Sequence, residues 1–375
     1  MEEGRIYMNN AATSWPKPDC VAEAVGRAIS GLPGSANRSG VDRRDVFLET
    51  RRALAKGLGV PQPEDIALGC NATWGLNLAI QGFPFGERAV VLTTCAEHNS
   101  VIRPLHKLEK AGRIRAVYLD TDAWGRVPVG EWEKAVSRYR PELCIFSHAS
   151  NVTGAVNDAR RLTGIAKAAG AAVLIDASQT LGWTEIHAGQ WGADMVAFTG
   201  HKYLLGPQGT GGLYVRRGLT LNPLLAGGTG IHSDMDEMPE AMPLRLEAGT
   251  GNEPSFSGLL AALCWAEENP LDRAVCEARL NRLKNGLAEA GARVIAPEGE
   301  CTPVVSFTVP GYTADEVGYI LTESYDMICR SGLHCAPRIF RGLGCPATVR
   351  LSLSRFTADW EIDAAVSAVG DIAGG

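Results

Sequence analysis

The sequence predicts an α/β protein: a large domain organised around a mainly parallel sheet, followed by a smaller α+β domain at the C-terminal end. Two observations carry this. Between about residues 65 and 215, short and nearly uninterrupted apolar runs alternate with segments of helical period, and after the glycine-rich stretch 226–230 that rhythm gives way to long helices with isolated strand-like runs. The apolar runs fall at 89–93, 116–119, 143–147, 172–176 and 195–199, each about the length of a strand buried on both faces. Helical candidates lie between them near 74–82, 100–112, 128–138 and 159–169, which is the βαβ alternation of a covered parallel sheet. Further on, helices are expected near 256–268, 271–290 and 313–323 and from about 358. Strand-like runs stand at 304–307 and 349–353.

The chain has 375 residues, 45% of them apolar and 21% charged, enough to build a substantial core. A net charge of −6 without a basic stripe speaks against nucleic-acid binding. The N-terminus opens on Glu2 and Glu3 and matches neither a secretory nor a transit leader, and no run approaches a membrane span, so a cytoplasmic, non-membrane protein is expected. Ten cysteines in such a chain do not read as a disulfide framework, and none is arranged with zinc spacing.

Chemistry concentrates at two consecutive strand ends. Asp176-Ala177-Ser178-Gln179 closes one run and Thr199-Gly200-His201-Lys202 closes the next. Ligands of open parallel sheets bind beyond the carboxyl ends of the strands, which sends both groups into one crevice. A lysine able to form a Schiff base, with an acid able to keep a pyridine nitrogen protonated, is the pair that pyridoxal phosphate requires. Singly, each has a plainer reading, as a solvated lysine and a helix-capping aspartate; the joint placement favours the cofactor. Ala72 and Thr73 open a helix, where free N–H groups suit a phosphate.

With these stand Asn10-Ala11-Ala12-Thr13, Glu97-His98, the run from Ser147 to Gly154, Gly249-Thr250-Gly251-Asn252, and Arg330-Ser331-Gly332-Leu333-His334-Cys335-Ala336-Pro337 before Arg350. In this order the chain resembles the class V aminotransferases, fold type I of the pyridoxal-phosphate enzymes, and within them the cysteine desulfurase and selenocysteine lyase branch. The resemblance runs nearly end to end. It implies a seven-stranded, mainly parallel sheet in a large domain of residues 1–250, with a small domain of 251–375 against which the first 15–20 residues pack.

It also implies roles. Lys202 carries the cofactor, Asp176 faces its ring nitrogen, Gln179 its phenolic oxygen, and His98 its ring face. Ala72, Thr73, Thr199 and His201 hold the phosphate, and Thr250 reaches the phosphate of the partner in a homodimer. Arg350, with Asn151 and Ala11, receives the substrate carboxylate, a task suited to the guanidinium fork; Arg330 either shapes the mouth or pairs with an acid. Cys335, in a short loop beside His334 and Arg338, is the expected sulfur acceptor, with Cys345 a relay thiol or a structural one. The implied reaction converts L-cysteine to L-alanine, leaving a persulfide on Cys335 for an acceptor protein. Selenocysteine cleavage, transamination or β-elimination with Cys335 idle remain alternatives, as does a catalytically silent scaffold, against which the intact site speaks. The chain departs from the family pattern at Asn9, where an acid is common, at Gly200, over 39–42 and over 338–341, the last two leaving the natural substrate or acceptor open.

Overall fold

The computed structural model describes residues 4–32, 45–230 and 234–374; the atypical segment 39–42 lies outside them. The first half runs β1 (Ile6–Tyr7), α1 (Asp19–Ser30), α2 (Val46–Leu58), β2 (Ile66–Gly69), α3 (Ala72–Gly82), β3 (Ala89–Thr94), α4 (Asn99–Lys110), β4 (Ile114–Leu119), α5 (Val129–Tyr139), β5 (Leu143–Ser147), α6 (Ala159–Ala168), β6 (Ala172–Asp176), α7 (Ala188–Trp191), β7 (Met195–Thr199) and β8 (Gly211–Val215). Then come α8 (Glu253–Glu268), α9 (Arg273–Glu289), β9 (Arg293–Ile295), β10 (Val304–Thr308), α10 (Ala314–Tyr325), β11 (Met327–Ile328), β12 (Arg330–Gly332), α11 (Phe340–Leu343), β13 (Thr348–Ser352) and α12 (Asp359–Gly374).

Seven strands form one mixed sheet in the order β2-β8-β7-β6-β5-β3-β4, and only β8 runs against the others. The five apolar runs read from the sequence are its central and far strands. Their side chains alternate strictly: Cys144, Phe146, Val173, Ile175, Val196 and Phe198 enter the core on one face, and Ile145, Leu174 and Ala197 enter the core on the other. A strand buried on both faces therefore carries no polar alternation. Each large apolar side chain so buried contributes roughly 1.5–3 kcal/mol relative to exposure. The edge pair β2–β8 is less visible in the sequence because β8 opens with two glycines. These are required by close approach: a Cβ on Gly211 would stand 2.7 Å from the Asn71 Cα, and one on Gly212 would stand 2.5 Å from the Ala67 oxygen. Gly211 lets the start of α3 dock directly on the sheet, and Gly212 makes room for the backbone of β2.

The second sheet, β12-β13-β10-β9, is antiparallel and shares a core with α9, α10 and α12. The N-terminal segment joins this core. Strand β1 pairs in parallel with β11, Asn9 bridges Ser352, and Ile6 and Met8 are buried among Leu321, Met327 and Leu351. Helix α8 goes the other way, placing Phe256 and Leu259 in the large sheet's core. That core thus extends past residue 250. All ten cysteines are free. No helix among the described residues is long and apolar enough to cross a membrane, and no cluster of metal-ligating side chains occurs among them.

Candidate active site

The carboxyl ends of β5, β6 and β7, the start of α3 and α4, residues 11–12 and the β12–β13 pair enclose a cleft of about 260 Å³. Twelve of the fourteen residues singled out from the sequence line it: Ala11, Ala72, Thr73, His98, Asn151, Asp176, Gln179, Thr199, His201, Lys202, Arg330 and Arg350. Asn71 caps α3 by accepting the Trp74 N–H at 2.9 Å. The first turn of α3, with Ala72 and Thr73, is thereby fixed with its positive dipole end at the cleft.

Asp176 ends β6, and its Oδ1 accepts the Ser178 N–H at 2.9 Å and the Ser178 hydroxyl. Lys202 follows β7 by three residues and shares the cleft. Burial depresses the Lys202 ammonium to a pKa of about 8; Asp176 partly offsets this, while Arg350 and Arg330 deepen it. Gln179 donates to the Ala11 oxygen at 3.1 Å, but its own Oε1 is buried without a partner, as is the Nδ1 of His201. Burial and the nearby Lys202 hold His201 near 4, so it is neutral at physiological pH.

His98 is the N-cap of α4. Its Nδ1 accepts the Ser100 backbone N–H at 3.1 Å, so the neutral ring carries its hydrogen on Nε2. Burial first, then the Lys202 charge, hold His98 near 4. Just before it, Glu97 is 1% exposed and is held by the Thr94 hydroxyl (2.6 Å), the Ser147 N–H (3.1 Å) and the Ser147 hydroxyl (2.8 Å). Burial outweighs those bonds and pushes the Glu97 carboxyl up to about 7. Glu97 thus ties the end of β3 to the end of β5. The sequence marked Glu97 and Ser147 only as parts of the Glu97-His98 pair and of the run from Ser147 to Gly154 and gave neither a role of its own, although each stands at a strand end.

Arg350 lies on β13 directly opposite Arg330 on β12. It is 1% exposed, and its Nη1 donates to the Asn151 main-chain oxygen at 2.8 Å. The Asn151 side chain points elsewhere, donating to the His334 oxygen at 2.7 Å, so the bond from Asn151 to Arg350 is through the backbone and not the amide.

Cys335 and Thr250 do not line the cleft. Cys335 is half-buried in a left-handed conformation (φ 60°), and its Sγ accepts from Arg330 Nη2 at 2.9 Å, beside the cleft wall. The sequence sets Cys335 beside His334 and Arg338, an arrangement expected to be electropositive and to favour a thiolate, but the structure gives the positive charge a different source. His334 is buried, bonded to Thr348 and held near 3 by burial, hence neutral, and the Arg338 guanidinium stacks on the Tyr118 ring at 3.7 Å; the charge at the thiol is that of Arg330. Arg330 accordingly has a thiol rather than an acid as its partner. Cys345 packs against the small cluster around Ile339 and Leu343. Thr250 is exposed, in the connection leading to α8.

The family model for aminotransferase class-V matches residues 6–365. A probable cysteine desulfurase of Mycolicibacterium paratuberculosis is 31% identical over 99% of this chain, which spans 56% of that protein's length; one of Pyrococcus abyssi is 30% identical over 96% of this chain and 92% of its own. Among solved structures, the apo cysteine desulfurase of Thermococcus onnurineus NA1 superposes with a TM-score of 0.90 at 30% identity, covering 99% of this chain and 95% of that one. The cysteine desulfurase CsdA of Escherichia coli, in an S-sulfonic acid form, gives 0.89 at 25% identity, covering 100% and 95%.

Proposed function

The chain belongs to the aminotransferase class-V family, and from that membership we propose that it is a pyridoxal-phosphate-dependent cysteine desulfurase, converting L-cysteine to L-alanine with the sulfur passed to Cys335. The observation that carries this reading is the Cys335 thiol, outside the cleft but 2.9 Å from the guanidinium of Arg330, which lines the cleft together with Lys202, Asp176 and Arg350. A transaminase would need the lysine, the acid and a carboxylate clamp, but not the thiol.

The residues present fit the cofactor. The partnerless Gln179 Oε1 and His201 Nδ1 are buried polar atoms of cleft-lining residues, and the first turn of α3 offers an anion site on the same wall. Lys202 would hold the aldehyde carbon, Asp176 the ring nitrogen, Gln179 the phenolic oxygen, and Ala72, Thr73, Thr199 and His201 the phosphate, with His98 against the ring. Bound there, pyridoxal phosphate supplies an electron-withdrawing ring that lowers the cost of charge on the substrate α-carbon.

Arg350 takes the α-carboxylate in its guanidinium fork, with Asn151 and Ala11 bounding the substrate. Lys202, whose ammonium burial lowers to about 8 in the cofactor-free chain, reaches its free amine, the form that can take the α-proton, at a lower pH than an ordinary lysine. His98 carries a proton on Nε2 and remains neutral through the working range. The Cys335 thiolate, facing Arg330, attacks the substrate sulfur: the carbon–sulfur bond breaks, a sulfur–sulfur bond forms on Cys335, and the electron pair left on the carbon is protonated to give alanine. The persulfide then passes to an acceptor protein. The working form is a cytoplasmic homodimer in which Thr250 reaches the partner's phosphate site, and its solvent exposure in the single chain supports this. Each chain divides near residue 250 into a large and a small domain, with α8 packed on the large one.

The test is to incubate the cofactor-loaded protein with L-cysteine and, separately, L-selenocysteine. Stoichiometric alanine and a Cys335 peptide heavier by one sulfur are expected. Cys335→Ala should keep the cofactor's visible absorbance yet release no sulfur. Pyruvate in place of alanine, or wild-type turnover by Cys335→Ala, would overturn the reading, and turnover of selenocysteine alone would reassign the substrate.

A further inference from the structure

Two arginines are buried among the described residues, Arg51 at 7% and Arg350 at 1% exposure, and their charges are treated differently. Arg51 is neutralised, with its Nη2 at 2.7 Å from both carboxylate oxygens of Glu247. Arg350 meets only uncharged oxygens: the Asn151 carbonyl at 2.8 Å and the Asn9 Oδ1 at 3.1 Å, while its Nε is buried with no partner. Arg330, opposite it across the strand pair, donates to a sulfur. Among the described residues neither guanidinium pairs with a carboxylate. Burying an uncompensated cation is costly, and the neighbouring Arg330 adds repulsion.

The partner that stands where a counter-ion would be expected is Asn9. An arginine only donates, so the amide oxygen must face it. The backbone around Asn9 fixes that oxygen. Asn9 bridges Ser352 on the arginine's own strand, its carbonyl accepts the Ala12 N–H at 3.0 Å, and the next two residues are tied to Ser352 through the Asn10 amide and the Ala11 N–H, each at 2.9 Å. The same turn delivers Ala11 to the cleft and to Gln179.

We propose that Asn9 is a specificity-determining residue for the substrate carboxylate: its neutral amide oxygen orients the Arg350 guanidinium without consuming its charge, leaving the cation to be satisfied by the incoming anion. This rests on the reading of Arg350 as the carboxylate site. An aspartate at position 9 would have nearly the same shape but would supply the counter-ion from within. The substrate would then compete for a guanidinium already paired.

The experiment titrates cofactor-loaded protein with L-alanine and with L-alaninamide, which lacks the carboxylate charge, following the visible absorbance. Wild type should prefer L-alanine. Asn9→Asp should bind L-alanine roughly ten- to a hundredfold more weakly, the worth of one charge-assisted hydrogen bond, and lose its preference over the amide. Asn9→Ala leaves the charge unpaired and only its orientation loosened, so a several-fold loss with the preference retained is expected. Asn9→Asp weakening L-alanine no more than Asn9→Ala overturns the proposal. Should the aspartate variant not fold, the alanine variant decides alone, since unchanged L-alanine affinity removes Asn9 from the site. Arg350→Lys in the same titration separates the two readings. If it binds L-alanine as wild type does, the carboxylate role of Arg350 fails and Asn9 falls with it; if it loses affinity while Asn9→Asp does not, only the Asn9 inference fails.

Discussion

Replacing Lys202 by methionine should stabilise the cofactor-free protein. Lys202 shares its cleft with two guanidiniums and one carboxylate, and burial together with the arginines outweighs the attraction of Asp176, taking the ammonium from 10.5 to about 8. That fall corresponds to ~3 kcal/mol at pH 7, where the folded protein holds a charge it disfavours. Methionine keeps the unbranched stem and loses the charge. For a chain of 375 residues, with an unfolding entropy of about 2 cal/mol/K per residue, this is a rise in Tm of roughly 4 °C. The sign of the pH dependence follows from the direction of the shift. Because the folded pKa lies below the unfolded one, the unfolded chain binds more protons between about pH 8 and 10.5, and wild-type stability climbs through that window. The advantage of Lys202→Met should therefore shrink to roughly 1 kcal/mol by pH 9.5. Thermal melts of both cofactor-free proteins at pH 7 and pH 9.5 measure it. A variant no more stable than wild type at pH 7, or with an equal advantage at both pH values, would refute the account of Lys202 as an electrostatically strained base.

Glu97 titrates in the opposite sense: its folded pKa of about 7 exceeds the ordinary 4.5, so its contribution is full below about pH 4.5 and is lost as the pH rises through 7. Glu97→Gln should flatten the decline of Tm between pH 5 and 8, and parallel profiles for the two proteins would count against the buried carboxyl as its cause. Thr250→Ala should weaken pyridoxal phosphate retention in a protein that still runs as a dimer on a sizing column, and wild type diluted until it dissociates should lose cofactor in step; equal cofactor affinity in the variant would show that Thr250 completes no phosphate site.

Much of the site was legible because the large sheet is buried on both faces. Strands of that kind announce themselves as continuous apolar runs, and the polar residues that follow them must lie at the sheet's carboxyl edge, which is why Asp176, Lys202 and His98 were recognisable before any coordinates. The edge strand β8 was not, since its Gly211 and Gly212 answer to the backbone of α3 and β2 rather than to strand propensity. The thiol's surroundings were misjudged for a related reason: adjacency in sequence pointed to His334 and Arg338, while burial neutralises the first and Tyr118 draws away the second.

By itself, then, the sequence determined the α/β rhythm, the lysine–acid pair, the cysteine loop and the arginine that follows it, because each is written in local pattern or residue type. Only the tertiary structure decided which charges meet. The register of β12 against β13 sets Arg330 opposite Arg350 and, through Arg330, supplies the cation at Cys335, and the clasp of residues 9–12 on Ser352 gives Arg350 an amide where Arg51 has a carboxylate. Such pairings join residues as far apart as 9 and 350, and their energies depend on burial and distance, which no local run of sequence encodes.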